Sequence, residues 1–304
     1  MMFLKSFATV LLAIISFFNS MAIGKSPADS MAGHEFPVIG VESKGDESLT
    51  RIMSFNVRCG DVNGVPAANR KDVVVKQILA VQPDAFGVQE ANPFWMNTLK
   101  TLLPQYACVG VDRDQGRKNG TGEYAAVFYL KSKFKALDSG DFWLSETPNV
   151  PSFGPGAGCR RVCTWVILEN RDTKAKFVYV NTHFDHVSEE ARVLAGNFVN
   201  DYIQEHFCDL PVVFSADMNT GEGGEAYLTM TKNLDNTRLK AADSVGFGTF
   251  HACSPETHAS YFIDFILCSK DVEVDAYRTV TEGIDGRFVS DHFPIYADLV
   301  IPAA

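Results

Sequence analysis

Several short apolar runs in this chain end on Asn, Glu, His or Asp, and that pattern constrains the fold more than any other feature. Residues 84–88 lead into Gln89-Glu90, residues 176–181 into His183, and residues 211–215 into Asp217-Met218-Asn219. Asn56 lies in the alternating run RIMSFNVR (51–58), and Asp264 lies inside the apolar run 261–268. Ser290-Asp291-His292 stands just ahead of Phe293-Pro294-Ile295. Runs of this length, bounded by turn residues, read as buried strands. Burying an unpaired carboxylate at a strand end is costly. A packed sheet has no need of so many such residues, so they point to a shared polar site along one rim.

The rest of the pattern supplies the elements around that rim. Further strands are expected at 106–111, 123–130, 134–142, 162–168 and 293–300. Helical spacing predicts helices at 69–80, closed by Gln82-Pro83, and at 93–103, stopped by Pro104. A third helix is expected to about residue 206 with Ser188 as its N-cap, and a fourth at 223–232. Residues 148–158 are rich in Pro and Gly and read as a long loop. With 46% hydrophobic residues in 304, the chain has enough apolar surface for one large core. We read one α/β domain at 48–302.

Residues 1–22 differ from this. Lys5 is their only charge, 7–18 is almost wholly apolar, and Ser20-Met21-Ala22 is a small-x-Ala pattern. This predicts a secretory signal peptide cleaved after Ala22, and so a periplasmic or secreted protein. The competing reading is an uncleaved N-terminal anchor. Residues 23–47 are polar and rich in Gly, Ser, Pro and Ala, which suggests a linker. Seven cysteines leave one odd, and Cys159 and Cys163 are near enough to pair if the segment turns. Asn119-Gly120-Thr121 is a glycosylation sequon. The net charge of −10 repels polyanions at long range. Binding along nucleic acid would need a local basic patch, for which Lys131, Lys133 and Lys135, or Arg113, Arg117 and Lys118, are the candidates. No extended hydrophobic hairpin suggests stable membrane insertion, and a monomer is expected.

The rim residues suit phosphoester chemistry. That reaction needs an aligned water and neutralisation of charge on the phosphoryl oxygens. Glu90, after a buried strand, is the best ligand for a hard dication. Asp217 and Asn219 are two apart, on one face of an extended segment, and suit a base beside an amide that holds an oxygen. His183 and His292 are donors to phosphoryl oxygens, and the buried Asp264 needs a partner, for which we pair it with His292. A zinc site made by His183, Asp185 and His186 is the alternative.

In chain order these blocks resemble the endonuclease/exonuclease/phosphatase superfamily, which has the deoxyribonuclease I-like fold. The carriers are SFNVR (54–58), Val88-Gln89-Glu90, Asn181-Thr182-His183-Phe184, Ala216-Asp217-Met218-Asn219, Ile263-Asp264-Phe265-Ile266-Leu267 and Ser290-Asp291-His292-Phe293-Pro294. Ala216 departs from the Gly usual before that Asp. The resemblance implies a four-layer α/β/β/α sandwich of two packed, mainly antiparallel sheets flanked by helices. It implies Mg²⁺ or Mn²⁺ at Glu90 with Asn56 and Asp291 nearby, and Asp217 activating the water. It gives Asn219 to substrate orientation, His183 and His292 to the phosphoryl oxygens, and Asp264 to holding His292. The blocks GEYAAVFY (122–129), DFWLSETP (141–148) and RVCTW (161–165) resemble a group near the deadenylase and nocturnin branch. That likeness places Arg58, Glu123, Tyr124 and Arg161 on the substrate side. Arg161 paired with Glu146 is the structural alternative. The expected activity is phosphoester hydrolysis, on nucleic acid first and on RNA 3′ ends before DNA. A small phosphorylated molecule (sugar phosphate, nucleotide, inositol phosphate or lipid head group) is the alternative substrate, and a catalytically silent effector the alternative class.

Overall fold

A computed structural model describes residues 30–257 and 260–302. The expected signal peptide lies outside the described residues. Two sheets form from the predicted runs. The first orders β10 (Asp243–Val245), β12 (Glu273–Thr279), β13 (Ile295–Val300), β1 (Thr50–Asn56), β2 (Ala85–Gln89), β4 (Val127–Leu130) and β3 (Tyr106–Val109). The second orders β5 (Phe134–Trp143), β6 (Val162–Asn170), β7 (Lys176–His183), β8 (Val212–Asp217), β11 (Asp264–Ser269) and β9 (Leu234–Asn236). Strands β1 and β2, β7 and β8, and β10 and β12 pair in parallel, and the other pairs are antiparallel.

Parallel neighbours need a crossover. Helix α1 (Ala67–Val81) joins β1 to β2, and α3 (Glu189–His206) joins β7 to β8. Ser188 caps α3 by accepting from the Ala191 N–H at 3.1 Å. Val73, Val74 and Ile78 of α1 pack on Phe55 and Phe86, with α2 (Pro93–Leu102) beside them. Ala195, Val199 and Ile203 of α3 pack on Val178 and Phe214, with α4 (Glu225–Met230) alongside. Ile52, Val127, Val166, Ile266 and Ile295 fill the space between the sheets. The result is the expected helix–sheet–sheet–helix sandwich.

Several expectations shift. The run at 261–268 becomes a strand only from Asp264, and that at 123–130 only from Val127. Strands β9, β10 and β12 and the short helix α5 (Thr237–Lys240) went unread. Strand β12 alternates charged and apolar residues, and its place comes from pairing with β13. Residues 30–47, read with their neighbours as a linker, run along the domain without helix or strand between residues 31 and 47. Phe36 packs on Phe293 with ring centroids 5.8 Å apart, the Ile39 N–H donates to Thr281 Oγ1 at 2.7 Å, and Lys44 pairs with Asp84. Few apolar residues mark this segment, but Met31, Phe36, Ile39 and Val41 lodge on the core. Cys159 and Cys163 do not pair: Cys163 faces the helix-side core, while Cys159 lines the cleft described below.

One polar cluster lies between the sheets just beneath the rim. Asn181 Nδ2 donates to the carbonyls of Val88 and Ala126, at 3.0 and 3.1 Å. Its Oδ1 accepts from Gln89 Nε2 at 2.7 Å and Ser215 Oγ at 2.9 Å. Gly87 lies against this amide, where a Cβ would run into Asn181 and Ser215. Buried groups stripped of partners cost about 1–3 kcal/mol each. Asn181→Leu is therefore expected to lower unfolding free energy by about 3 kcal/mol, read as a lower urea midpoint at unchanged slope.

Candidate active site

Both sheets deliver side chains to the same rim. Asn56 ends β1, and Glu90 follows β2. His183 and Asp217 end β7 and β8 and face each other in register. Asp264 begins β11 opposite Asp217. His292 enters from the loop ahead of β13, which bridges to Phe250. The site is thus one row of strand ends, closed by a loop.

Asn56 ties the two sheets together. Its Nδ2 donates to Glu90 Oε1 at 3.1 Å and to Asp217 Oδ2 at 2.8 Å. The Cys59 N–H donates to Glu90 Oε2, and the Asn219 N–H to Asp217 Oδ1, both at 3.0 Å. His292 Nδ1 lies 2.8 Å from Asp264 Oδ2, the pairing expected from sequence. Its Nε2 lies 3.8 Å from Asp217 Oδ2. His183 Nε2 lies 3.4 Å from the same oxygen and accepts from Asn219 Nδ2 at 2.9 Å. Asn219 is therefore held against His183 and the Phe184 carbonyl.

Burial and close charges separate the protonation states. Burial and the neighbouring Asp264 carboxylate push Asp217 up to about 7. Burial opposes charge on His292, but Asp264 and Asp217 outweigh it and raise the imidazole to about 10. Burial, then the Arg161 and Arg113 cations, lower His183 well below its ordinary range, so it is neutral. Burial also works to raise Glu90, yet the Cys59 N–H and the Arg58 cation outweigh it and keep the carboxylate ionised. The row therefore holds a neutral imidazole, an imidazolium and a carboxylate that titrates near neutrality.

Three residues here hold left-handed backbone: Arg58 at φ 55°, Glu90 at 57° and Asn219 at 49°. Such conformations cost about 1–3 kcal/mol each for non-glycine residues and persist where the surroundings fix them. The hydrogen bonds of Glu90 and Asn219 are that fixing.

The expected substrate-side residues reach the rim differently. Arg58 and Glu123 line a cleft of about 350 Å³ with Glu90, His183, Asp217 and His292. Arg58 stands between two carboxylates, 3.7 Å from Glu90 and 3.5 Å from Asp291. Arg161 also lines the cleft, and its neighbours are His186 and Asp185 rather than Glu146. Tyr124 is buried, and its hydroxyl is spent on the backbone at Arg117 and Gly120; it faces only a small side recess. The zinc trio is not assembled, because Asp185 takes the N–H groups of Gly158, Val187 and Ser188. Arg113, read as part of a surface patch, turns inward to a bidentate pair with Glu123 at 2.7 and 3.0 Å. Its neighbour Asp112, whose carboxylate fastens the following turn, was the available signal.

Residues 53–292 match the family model described as the Endonuclease/Exonuclease/phosphatase family. The chain belongs to that family. Its members are metal-dependent phosphoester hydrolases, and so is this chain. No curated protein matches the sequence. Among solved structures, the chain is similar to a mannosyl-6-phosphatase of Bacteroides thetaiotaomicron, with 31% identity, a TM-score of 0.77, and coverage of 83% of this chain and 99% of that one. It is similar to a Bacteroides vulgatus endonuclease/exonuclease/phosphatase at 34% identity and TM-score 0.78, covering 84% and 99%. The human nocturnin catalytic domain, at 19% identity and TM-score 0.66 over 89% and 98%, shares the fold.

The His292–Asp264 pair carries a pH signature. A folded value near 10 against an ordinary 6.5 means that the cation stabilises the fold in full below about pH 6.5. That stabilisation is lost as pH rises through about 10. The stability gap between wild type and His292→Gln is expected to be widest at low pH and to narrow toward pH 10, measured by urea unfolding across that range.

Proposed function

We propose that this family member is a phosphatase for a small phosphorylated sugar, using Mg²⁺ or Mn²⁺. The observation that carries it is the cleft: about 350 Å³, with Arg58, Arg113 and Arg161 and the apolar Phe250 and Ile263 in its lining. That volume is at the small end for ligand sites and suits one sugar ring rather than a run of nucleotides. The 31% identity to a mannosyl-6-phosphatase along 99% of its length supports the same class. The net charge of −10 opposes long polyanions, and likeness to nocturnin extends to the fold alone.

The oxygen donors fit a hard dication. Glu90 and Asp291 converge on one cationic group, Arg58, and Glu90 stays ionised despite burial. Glu90 and Asp291 would hold the ion, with Asn56 fixing Glu90. A bound dication supplies charge neutralisation at the phosphoryl group.

The chain's own residues supply the remainder. Asp217 orients the attacking water and takes its proton, being poised near neutrality. Asn56 and the Asn219 N–H aim its two oxygens. His292, held charged by Asp264, donates to a phosphoryl oxygen. His183 keeps the Asn219 amide at the cleft floor.

Removal of one positioned general base typically costs about 10²–10⁴-fold. Asp217→Ala is therefore expected to lower kcat by about 10²–10⁴-fold. A panel of mannose 6-phosphate, inositol phosphates, bis-p-nitrophenyl phosphate, single-stranded RNA and plasmid DNA tests the substrate class. Turnover should be highest on the sugar phosphate and should vanish with excess chelator. Full activity in chelator sinks the metal assignment, and faster turnover on RNA or DNA sinks the sugar reading.

A further inference from the structure

We propose that a side recess of the cleft reads one hydroxyl of the leaving alcohol, and that Arg161, Glu123 and Arg113 thereby select sugar phosphates over simple aryl phosphates. This rests on the phosphatase reading above and deepens it. The recess opens beside His183 and Glu90 and holds about 10 Å³, room for one water-sized oxygen. Arg161, Glu123 and Arg113 stand in its wall.

Arg161 is only 5% exposed, yet its Nε and Nη1 make no hydrogen bond within the protein. Nη2 lies 3.0 Å from His186 Nδ1, and Nε lies 3.6 Å from Asp185 Oδ2. Asp185 is already engaged: its Oδ1 accepts from Val187 and Ser188, and its Oδ2 from Gly158 and Cys159. A buried guanidinium with idle donors calls for an acceptor from outside the chain. The same recess has carboxylates in its wall, Glu123 and Glu90, which repel an anionic oxygen and accept from a hydroxyl. A group that accepts from Arg161 and donates to a carboxylate satisfies both, and an alcohol hydroxyl does so. Water has the same two capacities, so a substrate hydroxyl replaces it without loss of hydrogen bonds.

The recess is rigid. Arg113 grips Glu123 through both guanidinium nitrogens, and their backbones are joined by the Arg113 N–H to the Glu123 carbonyl at 2.8 Å. Trp143 Nε1 donates to the Arg113 carbonyl at 2.7 Å. A wall built for a hydroxyl discriminates strongly against analogues that lack it, because its polar groups are then left unpaired.

The test compares kcat/KM in Mg²⁺ for mannose 6-phosphate, its mono-deoxy analogues and p-nitrophenyl phosphate, in wild type, Glu123→Gln and Arg161→Lys. Wild type should prefer mannose 6-phosphate over at least one deoxy analogue by about 30-fold or more, and each variant should shrink that ratio at least roughly tenfold. Equal losses on every substrate, or a wild type indifferent to each deoxy analogue, overturn the subsite. Hydrolysis of p-nitrophenyl phosphate but of no sugar phosphate overturns it together with the sugar reading. If no phosphoester is turned over, the phosphatase reading falls and binding decides the subsite. With inorganic phosphate present, free mannose should raise the Tm of wild type and not of Glu123→Gln; an unmoved wild-type Tm overturns it.

Discussion

The amide of Asn181 holds the two sheets in register, and the site depends on that register. Asn56 and Glu90 come from the first sheet, while His183, Asp217 and Asp264 come from the second. Asn56 reaches Asp217 at 2.8 Å, a contact that a slip of one sheet over the other would break. Apolar packing between the sheets is non-directional and resists such a slip weakly. Asn181 donates into the first sheet and accepts from Ser215 of the second. Asn181 precedes His183 by two residues, and Ser215 precedes Asp217 by two. That spacing puts each clamp residue on the same strand face as its catalytic neighbour. The clamp and the site are consecutive layers of one construction.

The polar row above the clamp is held by mutual compensation. Asp217, Asp264 and His292 have oxygen and nitrogen atoms within 4.8 Å of one another, all buried. Two carboxylates so close favour a shared positive charge, and His292 carries it. Removing the imidazole would remove the cation that lets both carboxylates ionise, and Asp217 would keep its proton to higher pH. The strained backbones at Arg58, Glu90 and Asn219 belong to the same balance: each is held by contacts that also aim a polar group at the cleft.

Much of this was legible in the chain. The polar breaks at Asn56, Glu90, His183 and Asp217 mark strand ends because buried polar groups there need partners, which a shared rim supplies, and His292 joins them from the loop ahead of β13. The Asp264–His292 pair followed from the cost of a lone buried carboxylate. Other features left no such mark. Strand β12 sends only Val274 and Tyr277 into the core between charged residues, and pairing with β13 completes its placement. Residues 30–47 look polar because few apolar residues, Met31, Phe36, Ile39 and Val41, anchor them. Arg113 looks like a surface cation because its partner Glu123 lies ten residues on, across a turn that only the folded chain closes. The likeness of the 122–129 block to the deadenylase and nocturnin branch puts Tyr124 on the substrate side, but its hydroxyl is used within its own loop.

Net charge and local charge act here over different ranges. The chain's −10 is felt well beyond its surface, but salt screens it within about 10 Å. Inside the cleft Arg58, Arg161 and the charged His292 stand among Glu90, Glu123 and Asp217, at distances where screening is weak. A compact phosphate monoester places its whole charge within reach of those groups. On the proposed reading, a long nucleic acid would bring only a few phosphates into the cleft and leave the rest to meet a chain of net charge −10. The proposed preference for a small anion over a polymer thus rests on the cleft's volume and the net charge together.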